Sequence, residues 1–135
     1  MSNRIFYTTA VALALGLALA ACATGPSYSD LDRVATPDDA WPIDLPAYAS
    51  DGLDVESVRL VGHDGTTALY LATDTMADQS VCLLVYPGSG NWVVGCGGDG
   101  MTVGGGSNSR YTVHSDGEAA GSTVISGNVS TNADD

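Results

Sequence analysis

The stretch Ser57-Val58-Arg59-Leu60-Val61-Gly62-His63-Asp64-Gly65-Thr66-Thr67-Ala68-Leu69-Tyr70-Leu71-Ala72-Thr73 decides the class of fold. Its two arms follow a period of two, the signature of a strand rather than a helix. Between them Asp64-Gly65 is a hairpin signal, because glycine supplies the positive φ that a two-residue turn needs. The spacing sets an expected register. With His63 opposite Thr66, Leu60 faces Leu69 and Val58 faces Leu71, so these four share one face while Arg59, Val61, Ala68 and Tyr70 share the other. A slip of one residue would reverse which face is buried.

Outward from this hairpin, Val81 to Tyr86 and Trp92 to Cys96 form a second one across Pro87-Gly88-Ser89-Gly90-Asn91. Both strands are apolar on both faces, which places the pair in the middle of a sheet. Pairing Tyr86 with Trp92 sets Leu84 opposite Val94 and Cys82 opposite Cys96, with the two rings as a cross-strand pair beside the cysteines. Gly97 to Gly106 is glycine-rich around a short strand at Met101-Thr102-Val103. Arg110 to His114 alternates about Tyr111 and Val113, and Thr123 to Ser126 reads as a weak last strand. Upstream, Thr36-Pro37-Asp38-Asp39 is a helix start, with Thr as N-cap, Pro in the first turn and acids at the positive end of the peptide dipoles. Pro42 and Pro46 limit that helix to a turn or two, and Trp41, Ile43, Leu45 and Tyr48 are expected to pack it onto the sheet edge. The expectation is a mainly β fold: a small antiparallel sheet or open barrel of five to seven strands with a short N-terminal helix. It occupies residues 37–128, followed by a disordered tail at 129–135.

The chain has 135 residues, with 16 Asp plus Glu against 4 Lys plus Arg and a formal net charge of −12. There is no lysine; Arg4, Arg33, Arg59 and Arg110 are the fixed cations. Such a chain lacks the clustered Arg and Lys that phosphate contacts need, which excludes a nucleic-acid partner. The length admits one small domain and no two-domain enzyme.

At the N-terminus Arg4 precedes an apolar run from Ile5 to Leu19, long enough for a signal peptide and short of the ~20 residues that span a bilayer. The run ends in Leu19-Ala20-Ala21-Cys22. This tetrapeptide resembles a bacterial lipobox, and the chain as a whole resembles the small lipoproteins of actinobacterial type with a Cys-paired β domain. The resemblance implies a signal peptide at 1–21, lipid on the Cys22 thiol, and a partner in the membrane. Residues 22–36, polar and without period, are expected to be a flexible lipidated tether. The location implied is the outer face of the cytoplasmic membrane, or the outer membrane in a diderm host. With Cys22 on lipid, Cys82 and Cys96 remain, and an even pair in an exported domain reads as a disulfide.

The motifs that could carry chemistry are weak. Gly95-Cys96-Gly97-Gly98-Asp99-Gly100 matches G-x-G-x-x-G, but a dinucleotide site also needs a helix after the glycines, and Met101-Thr102-Val103 starts none. Gly97 to Val103 resembles one calcium-binding repeat of RTX type, with Thr102 at a ligand position and no second copy. The acid pairs Asp30 and Asp32, Asp38 and Asp39, and Asp74 and Asp78 lack EF-hand spacing. His63 and His114 are expected to be exposed at strand ends, too few for a zinc site once the cysteines are paired. Ser89 stands in G-S-G rather than G-x-S-x-G. The aromatic set is Trp41, Tyr70, Tyr86, Trp92 and Tyr111. No cofactor and no metal is expected. The chain reads as a non-catalytic binding or structural module, its possible partner a cationic protein or divalent cation. The alternative is an extracytoplasmic enzyme or a divalent-cation-binding accessory protein.

Overall fold

The computed structural model describes residues 25–88, 90–105, 108–118, 121 and 123–133, so the expected signal peptide, with Leu19, Ala20, Ala21 and Cys22, lies outside the described residues. Among the described residues eight strands form two antiparallel sheets: β1 (Arg59–Asp64), β2 (Thr67–Thr73), β3 (Val81–Tyr86) and β4 (Val93–Gly97) in one, ordered β1-β2-β3-β4; β5 (Thr102–Gly104), β6 (Ser109–Val113), β7 (Thr123–Val124) and β8 (Val129–Ala133) in the other, ordered β5-β6-β8-β7. The fold is mainly β, as the alternation predicts, with the strands divided between two sheets rather than lying in one.

The first hairpin forms, but in a different register from the expected one. Asp64 pairs with Thr67 and His63 with Ala68, so Gly65-Thr66 makes the turn, with Gly65 at φ +59. Positive φ at the first loop position is the demand of a type II′ turn. A bulge at Val61 then shifts the pairing, so that Leu60 meets Tyr70 and Arg59 meets Leu71. An extra residue on one strand turns the side chains beyond it to the opposite face. Val61 therefore joins Leu69 and Leu71 against the inner core, while Val58 joins Ala72 and Tyr70 on the outer face.

The second hairpin has the expected register: Cys82 pairs with Cys96 and Leu84 with Val94. The two cysteines form a disulfide with Cα atoms 4.0 Å apart. β3 is central; β4, expected beside it in the interior, is the sheet's edge.

The sheets face one another across a single core. Leu69, Leu71, Leu83 and Val85 of the first meet Val103, Tyr111, Val113 and Val129 of the second. Two glycines let the backbones come this close: a Cβ on Gly62 would lie 2.7 Å from Ile125, and one on Gly95 would lie 2.7 Å from Val103. β8 occupies the place where a disordered tail was expected. It is an interior strand paired with both β6 and β7, and Val129 and Ser130 are fully buried. Its sequence is polar because the inter-sheet core needs little from it beyond Val129.

The outer face of the first sheet is covered by residues 37–58, through Leu53, Val58 and Trp41 over Ala72 and Cys82. The expected helix start at Thr36 is a single 3-10 turn, Pro37–Asp39. Asp39 is buried at its end, where its carboxylate accepts from the Arg33 guanidinium at 2.5 and 2.8 Å and from the backbone N–H groups of Thr36 at 2.6 Å and Leu60 at 2.7 Å. Arg33 also donates to the Leu60 carbonyl. Both outward-facing backbone groups of Leu60 are thereby capped, which closes the β1 edge to another strand.

The segment expected to be tether is docked from Ser27 onward. Ser29–Asp32 makes a short helical turn, α1, and Tyr28 is buried in the inter-sheet core. Asp116 accepts from the hydroxyls of Ser27 and Ser29 and from the Ser29 N–H, and Asp30 accepts from Ser126 and from the Asn128 N–H. Backbone donors leave this stretch little freedom.

Two of these carboxylates shift their titration. The Arg33 guanidinium, helped by the Thr36 and Leu60 N–H groups against an opposing burial effect, holds Asp39 well below the usual carboxylate range. The Asn128 amide and the Ser29 N–H bring Asp116 down to about 2. Both groups bind protons less readily folded than unfolded, so the stability they contribute is complete above the unfolded value of about 3.9 and is lost as the pH falls toward 2. Urea unfolding should be flat from about pH 7 to about pH 5 and weaken between about pH 4 and pH 2. Asp39→Asn should lose about 2 kcal/mol at pH 7 and show a shallower acid decline; an unaltered acid slope would refute the assignment. A second expectation concerns the disulfide, which closes a loop with a sequence separation of 14. Its reduction should cost about 3 kcal/mol, read as the difference in urea midpoint with and without reductant.

Candidate functional site

Where the two sheets part, the turn of the first hairpin, residues at the end of the second, and Gly105, Ser109 and Tyr111 line a cleft of about 810 Å³. This is the size of a small-ligand site. Asp64, Thr66 and Thr67 come from the β1–β2 turn; Asn91, Trp92 and Val93 from the approach to β4; Gly105, Ser109 and Tyr111 from the second sheet.

The polar centre of the cleft is a pair. The Tyr111 hydroxyl donates to Asp64 Oδ2 at 2.9 Å. Asp64 can reach it only because it stays in the strand while Gly65 takes the turn. The Tyr111 ring lies against Gly105, where an added Cβ would come within 2.8 Å of the ring. Burial, and then the bond to Asp64, push the Tyr111 phenol above its ordinary value, so it stays protonated and donating. Trp92 is half-buried and lies beside the exposed Tyr48, with ring centroids 5.8 Å apart at 47°. The Tyr86 hydroxyl turns to Asp44 at 2.5 Å, which pushes the phenol up to about 12.

The other candidates have structural roles. Gly95 to Gly100 leads from β4 through a turn into a strand, with no helix behind the glycines. Asp99 accepts the Ser115 N–H at 2.6 Å and so fixes this loop to the end of β6. Asp74 has its carboxylate and the Cys82 and Cys96 sulfurs mutually within 4.8 Å. Those sulfurs are bonded to each other, and the carboxylate is taken up by the Ser80 hydroxyl and the Met76 N–H. Asp30 and Asp39 are engaged by the side-chain and backbone donors described above. Ser89 lies outside the described residues. Trp41 and Tyr70 belong to the outer layer.

His63 is exposed on β1, as expected. His114 is not: it is 5% exposed, at the end of β6, and neither ring nitrogen has a hydrogen-bond partner among the described residues. The sequence places it at a strand end, where exposure is ordinary; the backbone around it is tied down on both sides, by His114 N–H on the Asn128 carbonyl, Ser115 N–H on Asp99 and Asp116 N–H on the Ser27 carbonyl. Sequence reading also missed the cleft, because Asp64, Trp92 and Tyr111 come from three separate hairpins and share no spacing. No family model, curated protein or solved structure matches the chain.

An imidazole with two unpaired nitrogens contributes volume and costs desolvation. His114→Leu should therefore leave the unfolding free energy unchanged or raise it by about 1 kcal/mol, while His114→Ala should lower it by about 2 kcal/mol through the cavity it opens. Urea denaturation of both variants at neutral pH checks this.

Proposed function

We propose that the chain is a membrane-anchored extracytoplasmic lipoprotein whose body is a non-catalytic binding module, with the cleft at the sheet ends as its ligand site. The observation that supports the binding reading is the separation of chemical groups. The cleft gathers one carboxylate, an indole, a phenol and neutral hydroxyl and amide groups, and both imidazoles lie outside its lining. A catalytic constellation sets a base or nucleophile against an activating partner in the pocket itself. The lipobox Leu19-Ala20-Ala21-Cys22 and the Cys82–Cys96 disulfide support the anchored, exported part of the reading.

The docked N-terminal segment adds a geometric consequence. From Cys22 to Ser27 is five residue steps, at most about 18 Å of extended chain. A lipid on Cys22 would hold the body close to the bilayer by the end at which Tyr28 meets Thr73 and Ser80. The cleft adjoins the opposite end of β3, at Val85 and Pro87. The ligand site then faces away from the membrane.

Two measurements test the proposal. Globomycin should make the precursor accumulate, and a palmitate analogue should label the wild-type chain but not Cys22→Ala; an unlabelled wild-type chain defeats the anchor. A deletion strain's phenotype should be fully complemented by His63→Ala and by His114→Leu at matched protein levels. Loss of function in either, with the domain folded and anchored, would favour an enzyme or metal site.

A further inference from the structure

We infer that the cleft binds the ammonium group of a small organic cation, with Asp64 as counter-charge and the Trp92 indole as the aromatic face; this rests on the cleft being the ligand site. Three observations on the lining carry it. First, Asp64 is the charged side chain among the lining residues, and the rest are neutral. Second, the carboxylate is aimed but not consumed. Tyr111 holds Oδ2, and Oδ1 has no partner among the described residues. A neutral ligand closing over that oxygen would strip its water without returning a charge, whereas an ammonium group returns one. Third, the Trp92 ring already lies against Tyr48, with centroids 5.8 Å apart. Indole is the best of the aromatic faces for a cation, and preorganisation spares the cost of ordering it.

The surroundings point the same way. The chain carries −12, a field that concentrates cations and repels anions. Two of its arginines are engaged at the β1 edge, Arg33 on Asp39 and Arg59 on the Arg33 carbonyl. A calcium ion would want six to eight oxygen ligands; here there is one carboxylate, with one oxygen already taken by a phenol. The enclosed volume suits a small molecule rather than an extended polypeptide.

The test is calorimetric titration of the processed, lipidated chain in detergent micelles, disulfide intact, with tetramethylammonium and with putrescine. Glucose, acetate and calcium chloride are titrated in parallel. Saturable binding of the ammonium probes is expected, weakening several-fold as salt rises from about 20 to about 300 mM. Asp64→Asn keeps an acceptor for the Tyr111 hydroxyl, so the fold should survive, and it should weaken ammonium binding at least about tenfold. Trp92→Leu keeps bulk without the π face and should weaken it about fivefold. Ammonium binding unchanged in both variants would overturn the inference. Saturable binding of glucose or calcium in place of the ammonium probes would overturn it too, while leaving the binding-module reading standing. No binding of any probe would count against both the inference and the cleft as a ligand site.

Discussion

A strand that is apolar on both faces has to be covered on both, and Val81–Tyr86 is that strand, with Val81 to Val85 all buried. Leu83 and Val85 point to one side and Cys82 and Leu84 to the other. The second sheet covers the first side. The irregular segment 37–58 covers the other, and the disulfide ties β3 to β4 on that outer face. The three-layer arrangement follows from this one requirement, and so does the docking of the N-terminal segment. Tyr28 completes the inner core at the end marked by Val81.

The covering layers are fastened by carboxylates. In a lysine-free chain an acid cannot rely on a matching cation, so most structural acids here accept from backbone N–H and hydroxyl groups. Asp39 joins the outer layer to the β1 edge. Asp116 and Asp30 join residues 27–30 to the turn before β8, and Asp99 joins the glycine-rich loop to Ser115. Hydrogen bonds to a charged acceptor are stronger than neutral ones. The acidity of the composition is thus partly architectural. Asp64 differs in its place, since it lines the cleft where the sheets part.

The parts of this fold legible in the sequence are those decided locally. The second hairpin was readable because two cysteines and an unbroken apolar run admit one register. The Thr36-Pro37-Asp38-Asp39 cap was readable because its partners lie within three residues. The register of the first hairpin was not, since Asp64-Gly65 and Gly65-Thr66 are both plausible turns and the choice depends on Tyr111, 47 residues away. β8 escaped notice because Val129-Ser130-Thr131-Asn132 has a single large apolar residue; its central position comes from pairing on both sides. Residues 27–36 looked like a tether because their partners, Asp116 and Asn128, are nearly ninety residues or more distant. The cleft shares that difficulty in full, being made where three hairpins end.

The same interaction that misled the register creates the site. Had Asp64 occupied the turn, its side chain would have left the strand and the Tyr111 phenol would have lost its acceptor. By keeping Asp64 in β1 and turning at Gly65, the chain carries a carboxylate to the gap between the sheets. There Gly105 leaves room for the Tyr111 ring, and Trp92 lies beside Tyr48. Gly62 and Gly95 allow close approach between the sheets, and the polar lining gathers beyond those contacts, where the sheets part. An apolar filling there would have stabilised the domain further. The molecule instead keeps an open cleft with a carboxylate in its lining, at the end of β3 remote from the docked N-terminal segment, and the proposed outward-facing ligand site rests on that placement.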